Sequence, residues 1–172
     1  MISIRKANER DITDLSRKLS TFLEDKSSKI YQDNIAKFGI PDEYVKKALA
    51  EETLLEAMLS ERAAFYVAVE RNEIVGFAQI IQQNDQTTEL DRIVVFPPRE
   101  RKGIGTQLLR KVINDERNKG VNTITVNVGK NETYVRKFYE KNGFRLRTEI
   151  AVDAPWGKRI DLAVYELSMN SY

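Results

Sequence analysis

The stretch Leu90-Asp91-Arg92-Ile93-Val94-Val95-Phe96-Pro97-Pro98-Arg99-Glu100-Arg101-Lys102-Gly103-Ile104-Gly105-Thr106-Gln107-Leu108-Leu109 decides the fold. Its first third is an apolar strand that stops at Pro97-Pro98, because proline cannot continue a ladder. A basic turn with two glycines follows, and then an amphipathic helix over about Gly105 to Lys119. That helix has Leu108, Leu109, Val112 and Ile113 on one face and ends at Gly120, a natural C′ residue. Strand, glycine turn and helix start together make an anion site: unpaired amides and the positive helix end converge where glycine lets a ligand approach. Two known phosphate loops do not fit. Nothing here has the Walker spacing between its first Gly and its Gly-Lys pair, and Leu108 stands where the dinucleotide pattern needs a third Gly.

Outward from this segment the chain alternates between strand and helix periodicities. Ile2 and Ile4 alternate with Ser3 and Arg5, and Asn8 offers an N-cap to a helix over Glu9 to Phe22. After the break at Gly39-Ile40-Pro41 a single helix is expected from about Asp42 through Leu59; the connector before it is polar and carries Tyr31 and Phe38. Ala64–Val69 and Ile74–Ile81, joined by Glu70-Arg71-Asn72-Glu73, form an antiparallel hairpin. A strand over Glu89 to Phe96 precedes the glycine turn. Beyond the Gly105 helix come a strand with Ile124, Val126 and Val128 on one face, a helix from about Glu132 to Lys141, and strands over Phe144–Val152 and Ile160–Met169. The order β-α-α-β-β-β-α-β-α-β-β predicts one α/β (α+β) domain over residues 1–172, built on a mixed sheet.

Composition narrows the chemistry. The chain has 172 residues, 28 Lys+Arg against 26 Asp+Glu, and neither Cys nor His. There is thus no disulfide, no thiolate nucleophile, no imidazole base and no Cys- or His-ligated metal site. The small net charge, with basic and acidic residues interspersed, gives no reason to expect a nucleic-acid partner. There is no apolar run of membrane-spanning length and no leader pattern at Met1-Ile2-Ser3-Ile4-Arg5, so a cytoplasmic protein without a membrane partner is expected.

The Leu90–Leu109 stretch resembles the acyl-CoA-binding motif of the GNAT superfamily of N-acyltransferases, Gln/Arg-x-x-Gly-x-Gly/Ala after a strand. Gly103 and Gly105 match it, and Glu100 occupies the Gln/Arg position, with Arg101 adjacent. A second stretch, Asn131-Glu132-Thr133-Tyr134-Val135-Arg136-Lys137-Phe138-Tyr139-Glu140-Lys141-Asn142-Gly143-Phe144, resembles the family's Asn-x-x-Ala-x-x-Phe-Tyr-x-x-x-Gly-Phe. Phe138-Tyr139 and Gly143-Phe144 match in spacing, whereas Glu132 stands at the Asn position, Asn131 lies one place early, and Val135 replaces the Ala.

The resemblance implies a single-domain GNAT fold: a mixed sheet of about six to seven strands with a splay at the acyl-CoA site, flanked by about four helices. It implies acetyl-CoA as co-substrate, a primary amine as acceptor, and no metal. The pyrophosphate would rest on amides from Arg101, Lys102, Gly103, Ile104, Gly105 and Thr106, with cations from Arg99, Arg101 and Lys102. The pantetheine arm would pair with the backbone of Ile93, Val94 and Val95 and meet Asn131. Direct attack by the amine needs no enzyme nucleophile, which suits a chain without Cys or His. The amide of Val94 or Val95 would hold the oxyanion. Tyr139, with a reference pKa of about 10, would give its proton to a leaving thiolate whose thiol has a reference near 8.5. Glu89, with Asp91 as the alternative, would receive a proton from the incoming ammonium; residues 89, 91, 93 and 95 share a face if the strand alternates regularly.

The acceptor pocket of the family lies between the first helices and the last hairpin. The connector here is similar to the spermidine/spermine (PaiA-like) branch, in which Asp33, Asp42 and Glu43 would hold a polyamine. Peptide N-termini and aminoglycosides are competing acceptors, and a non-catalytic acyl-CoA-binding module is the alternative to an enzyme. Trp156, in the loop Ala154-Pro155-Trp156-Gly157, is a candidate substrate wall or subunit contact. Homodimers are frequent in the family, and the final strands would supply an interface.

Overall fold

The structure, a computed structural model, describes residues 1–100 and 102–169. Seven strands form one sheet in the order β1-β2-β3-β4-β5-β7-β6. They are β1 (Ser3–Lys6), β2 (Ala63–Glu70), β3 (Glu73–Gln82), β4 (Thr87–Val95), β5 (Thr123–Gly129), β6 (Arg145–Asp153) and β7 (Arg159–Ser168). The six α-helices are α1 (Glu9–Glu24), α2 (Lys29–Asn34), α3 (Asp42–Leu49), α4 (Glu51–Leu59), α5 (Ile104–Asn118) and α6 (Thr133–Lys141). All neighbouring strands are antiparallel except β4 and β5. That parallel pair is a strand–helix–strand crossover, with α5 packed back on the sheet.

Two apolar layers sandwich the sheet. On one face α5 and α6 bury Leu108, Leu109, Val112 and Tyr139 against Ile80, Leu90, Ile124 and Tyr165. On the other, α1 to α4 bury Ile12, Leu15, Leu49 and Leu54 against Phe65, Phe77, Val94 and Phe96. The helical layer stops over β4, so the outer strand β6 is exposed along its whole length. Among the described residues, no helix is long and apolar enough to cross a membrane.

Local chemistry explains most boundaries. Asn8 caps α1: its side chain accepts from the Asp11 amide at 3.0 Å, while its own amide donates to Asp11 Oδ2 at 2.8 Å. The hairpin between β2 and β3 turns on Arg71 and Asn72, both with positive φ, as two-residue hairpin turns require. Three features depart from the sequence expectation. The helix expected over Asp42–Leu59 is two helices broken at extended Ala50, where the buried Ser16 hydroxyl donates to the Leu49 carbonyl at 2.9 Å and compensates the interrupted ladder. The polar connector contains α2, capped by Ser28, and a 3-10 turn over Ala36–Phe38 closed by left-handed Gly39. The third is in β4 and shapes the site.

Candidate active site

β4 and β5 pair only over Thr87–Glu89 and Thr123–Thr125. β4 then continues along β3 while β5 follows β7, so the sheet opens into a V whose apex is at Glu89. Beyond it one edge of β4 has no strand partner among the described residues. The Phe96 amide donates to Val75 O at 2.9 Å, so alternation turns the backbone groups of Val94 toward β3 as well; the Val94 carbonyl lies against Gly76. The groups on the open edge are therefore those of Ile93 and Val95. Of the two amides expected to hold an oxyanion, the Val95 amide faces the opening and the Val94 amide is turned away.

Helix α5 starts beside this opening. Gly103 is its N-cap with φ +77°, a left-handed conformation that a side chain strains, and no side chain caps the helix. The first intrahelical bond runs from the Gln107 amide to the Gly103 carbonyl, so the amides of Ile104, Gly105 and Thr106 lack helical partners and concentrate the positive end of the helix. A Cβ on Gly105 would sit 3.8 Å from the Phe138 ring and 3.9 Å from Ile93, so glycine here keeps the gap between β4, α5 and α6 open. Ile104 is a core residue and anchors the turn. Lys102 is exposed, whereas Arg99 is engaged with Glu70 at 2.8 Å. Arg101, expected to supply charge here, lies outside the described residues.

Helix α6 brings its aromatic pair to the same side of the sheet. Tyr139 is packed edge-on between Phe138 and Phe144, with ring centroids 5.1 and 5.3 Å away, in the core against which Ile93 and Val95 pack. Burial first, and the Glu132 charge second, push the Tyr139 phenol up, so the group keeps its proton at neutral pH. Glu132, at the family's Asn position, accepts from the Gly129 amide at 3.1 Å and pairs with Lys37 at 3.6 Å. Asn131 is exposed just before α6.

The opposite face of β4 has a different character. A bulge interrupts its pairing with β3: Arg92 opposes Gln79 and Leu90 opposes Ile80, leaving Asp91 as the extra residue. The bulge overturns the expectation that residues 89, 91, 93 and 95 share a face. Ile93 and Val95 pack on the α5/α6 side, whereas Asp91, Arg92 and Val94 line a cavity of about 380 Å³ under α1 to α3. Other walls of this cavity are Leu23, Ile35, Tyr44 and Phe77. Arg92 Nε donates to Asp91 Oδ2 at 3.1 Å, and both side chains are about one-third exposed. Glu89 accepts from Gln83 at 2.6 Å; desolvation, then the Asp91 charge, raises its carboxyl above the usual range.

Trp156, from the loop joining β6 and β7, forms part of the cavity wall, its indole donating to the Phe38 carbonyl at 3.2 Å and meeting Tyr44 edge-on. The carboxylates expected to hold a polyamine lie elsewhere: Asp33 pairs with Lys29, Asp42 with Lys26, and Glu43 is exposed. Sequence reasoning did not single out Arg92. Arg92 sits in the quoted strand, but only the bulge turns it into the cavity.

Residues 28–144 match the Acetyltransferase (GNAT) family. The chain is 30% identical over 87 residues to the uncharacterized N-acetyltransferase YvbK of Bacillus subtilis, a match covering 51% of this chain and just over half, 56%, of that protein. The ribosomal-protein-S18-alanine N-acetyltransferase of Escherichia coli superposes with a TM-score of 0.72 at 21% identity, covering 100% of this chain and 96% of the other. The PaiA N-acetyltransferase of Thermoplasma acidophilum, solved in complex with coenzyme A, superposes with a TM-score of 0.68 at 20% identity over 98% and 99% of the two chains. The fold as a whole thus has its counterpart in solved acetyltransferases, and the family match extends over both motif segments: the chain belongs to the GNAT acetyltransferase family.

Proposed function

We propose that the protein is an N-acetyltransferase that moves the acetyl group of acetyl-CoA to a small primary amine by direct attack in a ternary complex. The observation that carries this reading is the splay itself, which sets one free strand edge, one uncapped helix start and one buried, protonated phenol on the same side of the sheet. Acetyl-CoA, when bound, supplies an acetyl group activated as a thioester. The amides of Gly103, Ile104, Gly105 and Thr106, with Lys102 and Arg101, would hold its pyrophosphate. The open edge at Ile93 and Val95 would pair with the pantetheine amides, and Asn131 flanks that path. The coenzyme A held by the Thermoplasma protein of the same fold supports this assignment.

Each residue then has a defined task. The Val95 amide faces growing negative charge on the carbonyl oxygen, where a fixed donor in a dry site acts most strongly. Tyr139 keeps its proton until a thiolate forms beside it and then donates it. Glu89, or Asp91, takes the proton of the ammonium, directly or through water; the raised pKa of Glu89 brings it closer to the working pH, which is what a base requires.

The acceptor we infer is a small amine. The cavity that would receive it is small, walled in part by Trp156, and lined by a single carboxylate among the described residues, Asp91, which suits a small amine better than a long polycation. The exposed edge strand β6, with Leu146, Ile150 and Val152 at its surface, is the surface we assign to a homodimer. A thiol-release assay with acetyl-CoA and a panel of amines tests the enzyme. Turnover that falls at least about a hundredfold in Tyr139→Phe supports it. Coenzyme A binding without turnover of any amine would instead indicate a binding module, and unaltered turnover in Tyr139→Phe removes the acid assignment.

A further inference from the structure

We infer that the acceptor is a hydrophobic α-amino acid, read at both ends of its zwitterion by the adjacent Asp91 and Arg92. The inference rests on the acetyltransferase reading and names the substrate class of that site. The bulge in β4 puts two consecutive, oppositely charged side chains on one face of a strand, whereas regular alternation would separate them. Both line a cavity whose remaining walls are almost wholly apolar, with Leu23, Phe77 and Tyr44 among them. A partly exposed ion pair between consecutive residues contributes little to stability. It is a good recognition device. A zwitterion inserted into the pair gives its ammonium to Asp91 and its carboxylate to the planar fork of Arg92, and each charge keeps an opposite partner throughout.

The cavity volume of about 380 Å³ falls at the small end of ligand sites and accommodates one apolar side chain. A polyamine would leave Arg92 facing a cation, and a peptide N-terminus has no α-carboxylate for it to bind.

The transfer balances. The α-ammonium gives one proton to the Glu89 carboxylate. The freed nitrogen then bonds to the acetyl carbon as the carbon–sulfur bond breaks, and the electron pair leaves with sulfur. Tyr139 protonates that sulfur. The second proton on nitrogen passes through water to the phenolate and restores Tyr139, and Glu89 releases its proton to solvent, so the products are the N-acetylamino acid, coenzyme A and one proton.

The test compares L-phenylalanine, L-leucine and L-methionine with phenethylamine, isoamylamine, L-phenylalaninamide and spermidine in the thiol-release assay. The expected result is a kcat/KM at least about tenfold higher for L-phenylalanine and L-leucine than for their decarboxylated or amidated counterparts, with L-methionine in the same range as the other two amino acids, one good charge-assisted contact being worth that much. Arg92→Gln is expected to erase the preference for L-phenylalanine over phenethylamine, chiefly through the KM of the amino acid, and Arg92→Lys to restore part of it. Coenzyme A affinity reports whether each variant is folded. Amino acids no better than the amines lacking a carboxylate, or preference for spermidine, overturn the inference while leaving the enzyme intact. Turnover of no amine at all removes the acetyltransferase reading, and this inference with it.

Discussion

The two faces of β4 solve their recognition problems in different ways. On the α5/α6 side the site is made of backbone: a strand edge that β5 leaves at Glu89, a left-handed Gly103, and three amides without helical partners. On the α1–α3 side it is made of side chains drawn from across the chain, from Leu23 through Arg92 to Trp156. The first arrangement is tied to one short stretch of sequence and is where we propose that acetyl-CoA binds. The second is assembled only when distant segments meet, so it can change without disturbing the first. One extra residue in a strand separates the two.

Tyr139→Phe tests the backbone-built side most severely. Its packing survives the loss of one hydroxyl, but the proton donor is gone, so kcat is expected to fall by about 10²–10⁴ with coenzyme A affinity unchanged. Trp156→Ala tests the other side. It should raise the acceptor KM about tenfold, roughly 1.4 kcal/mol, and leave coenzyme A affinity alone. A calorimetric titration showing weaker coenzyme A binding in that variant would break the separation of the two faces.

A smaller effect sharpens the division through pH. The Glu89 carboxyl, raised by burial and by Asp91, must be deprotonated to accept a proton, so kcat/KM should decline with falling pH through an apparent pKa above the ordinary glutamate value of about 4.3. Glu89→Gln should flatten that acidic limb, and an unchanged limb would move the role to Asp91. The smallest expected effect on function is at Asp11, far from both faces. Hydrogen bonds from Arg5, then from the Asn8 amide, hold its carboxyl below the usual range. Its ionised form therefore stabilises the fold above pH of about 3.9, and this contribution is lost as pH falls through the lowered value. Asp11→Asn should cost about 1 kcal/mol in thermal or urea unfolding at pH 7, converge with the parent protein in acid, and leave turnover unchanged.

The same division governs what was legible in the sequence. Gly103, Gly105, Phe138 and Tyr139 lie at fixed separations within local segments, and the seven strands follow from short-range periodicity. The bulge at Asp91 does not, because it depends on how β3 opposes β4, and it shifts the alternation from which the faces of Ile93 and Val95 were expected. The break at Ala50 was hidden for a similar reason. No glycine or proline marks it; the compensating hydroxyl comes from Ser16 on another helix. Helix α2 occupies only six residues, too few to show helical periodicity. The polyamine expectation had weighed acidic residues by their position in the chain, and only folding showed that Asp33 and Asp42 are spent on neighbouring lysines.

The wall formed by Trp156 has a mechanical consequence. It is fastened by single bonds, from the indole to the Phe38 carbonyl and from Lys158 Nζ to the Lys37 carbonyl at 3.4 Å, together with the half-exposed Lys37–Glu132 pair. A surface ion pair of that kind is worth at most about 1 kcal/mol and weakens with salt. Salt therefore loosens the contact between the connector that carries Phe38 and the residue preceding α6, while the indole–carbonyl bond and the ring contact with Tyr44 keep Trp156 in place.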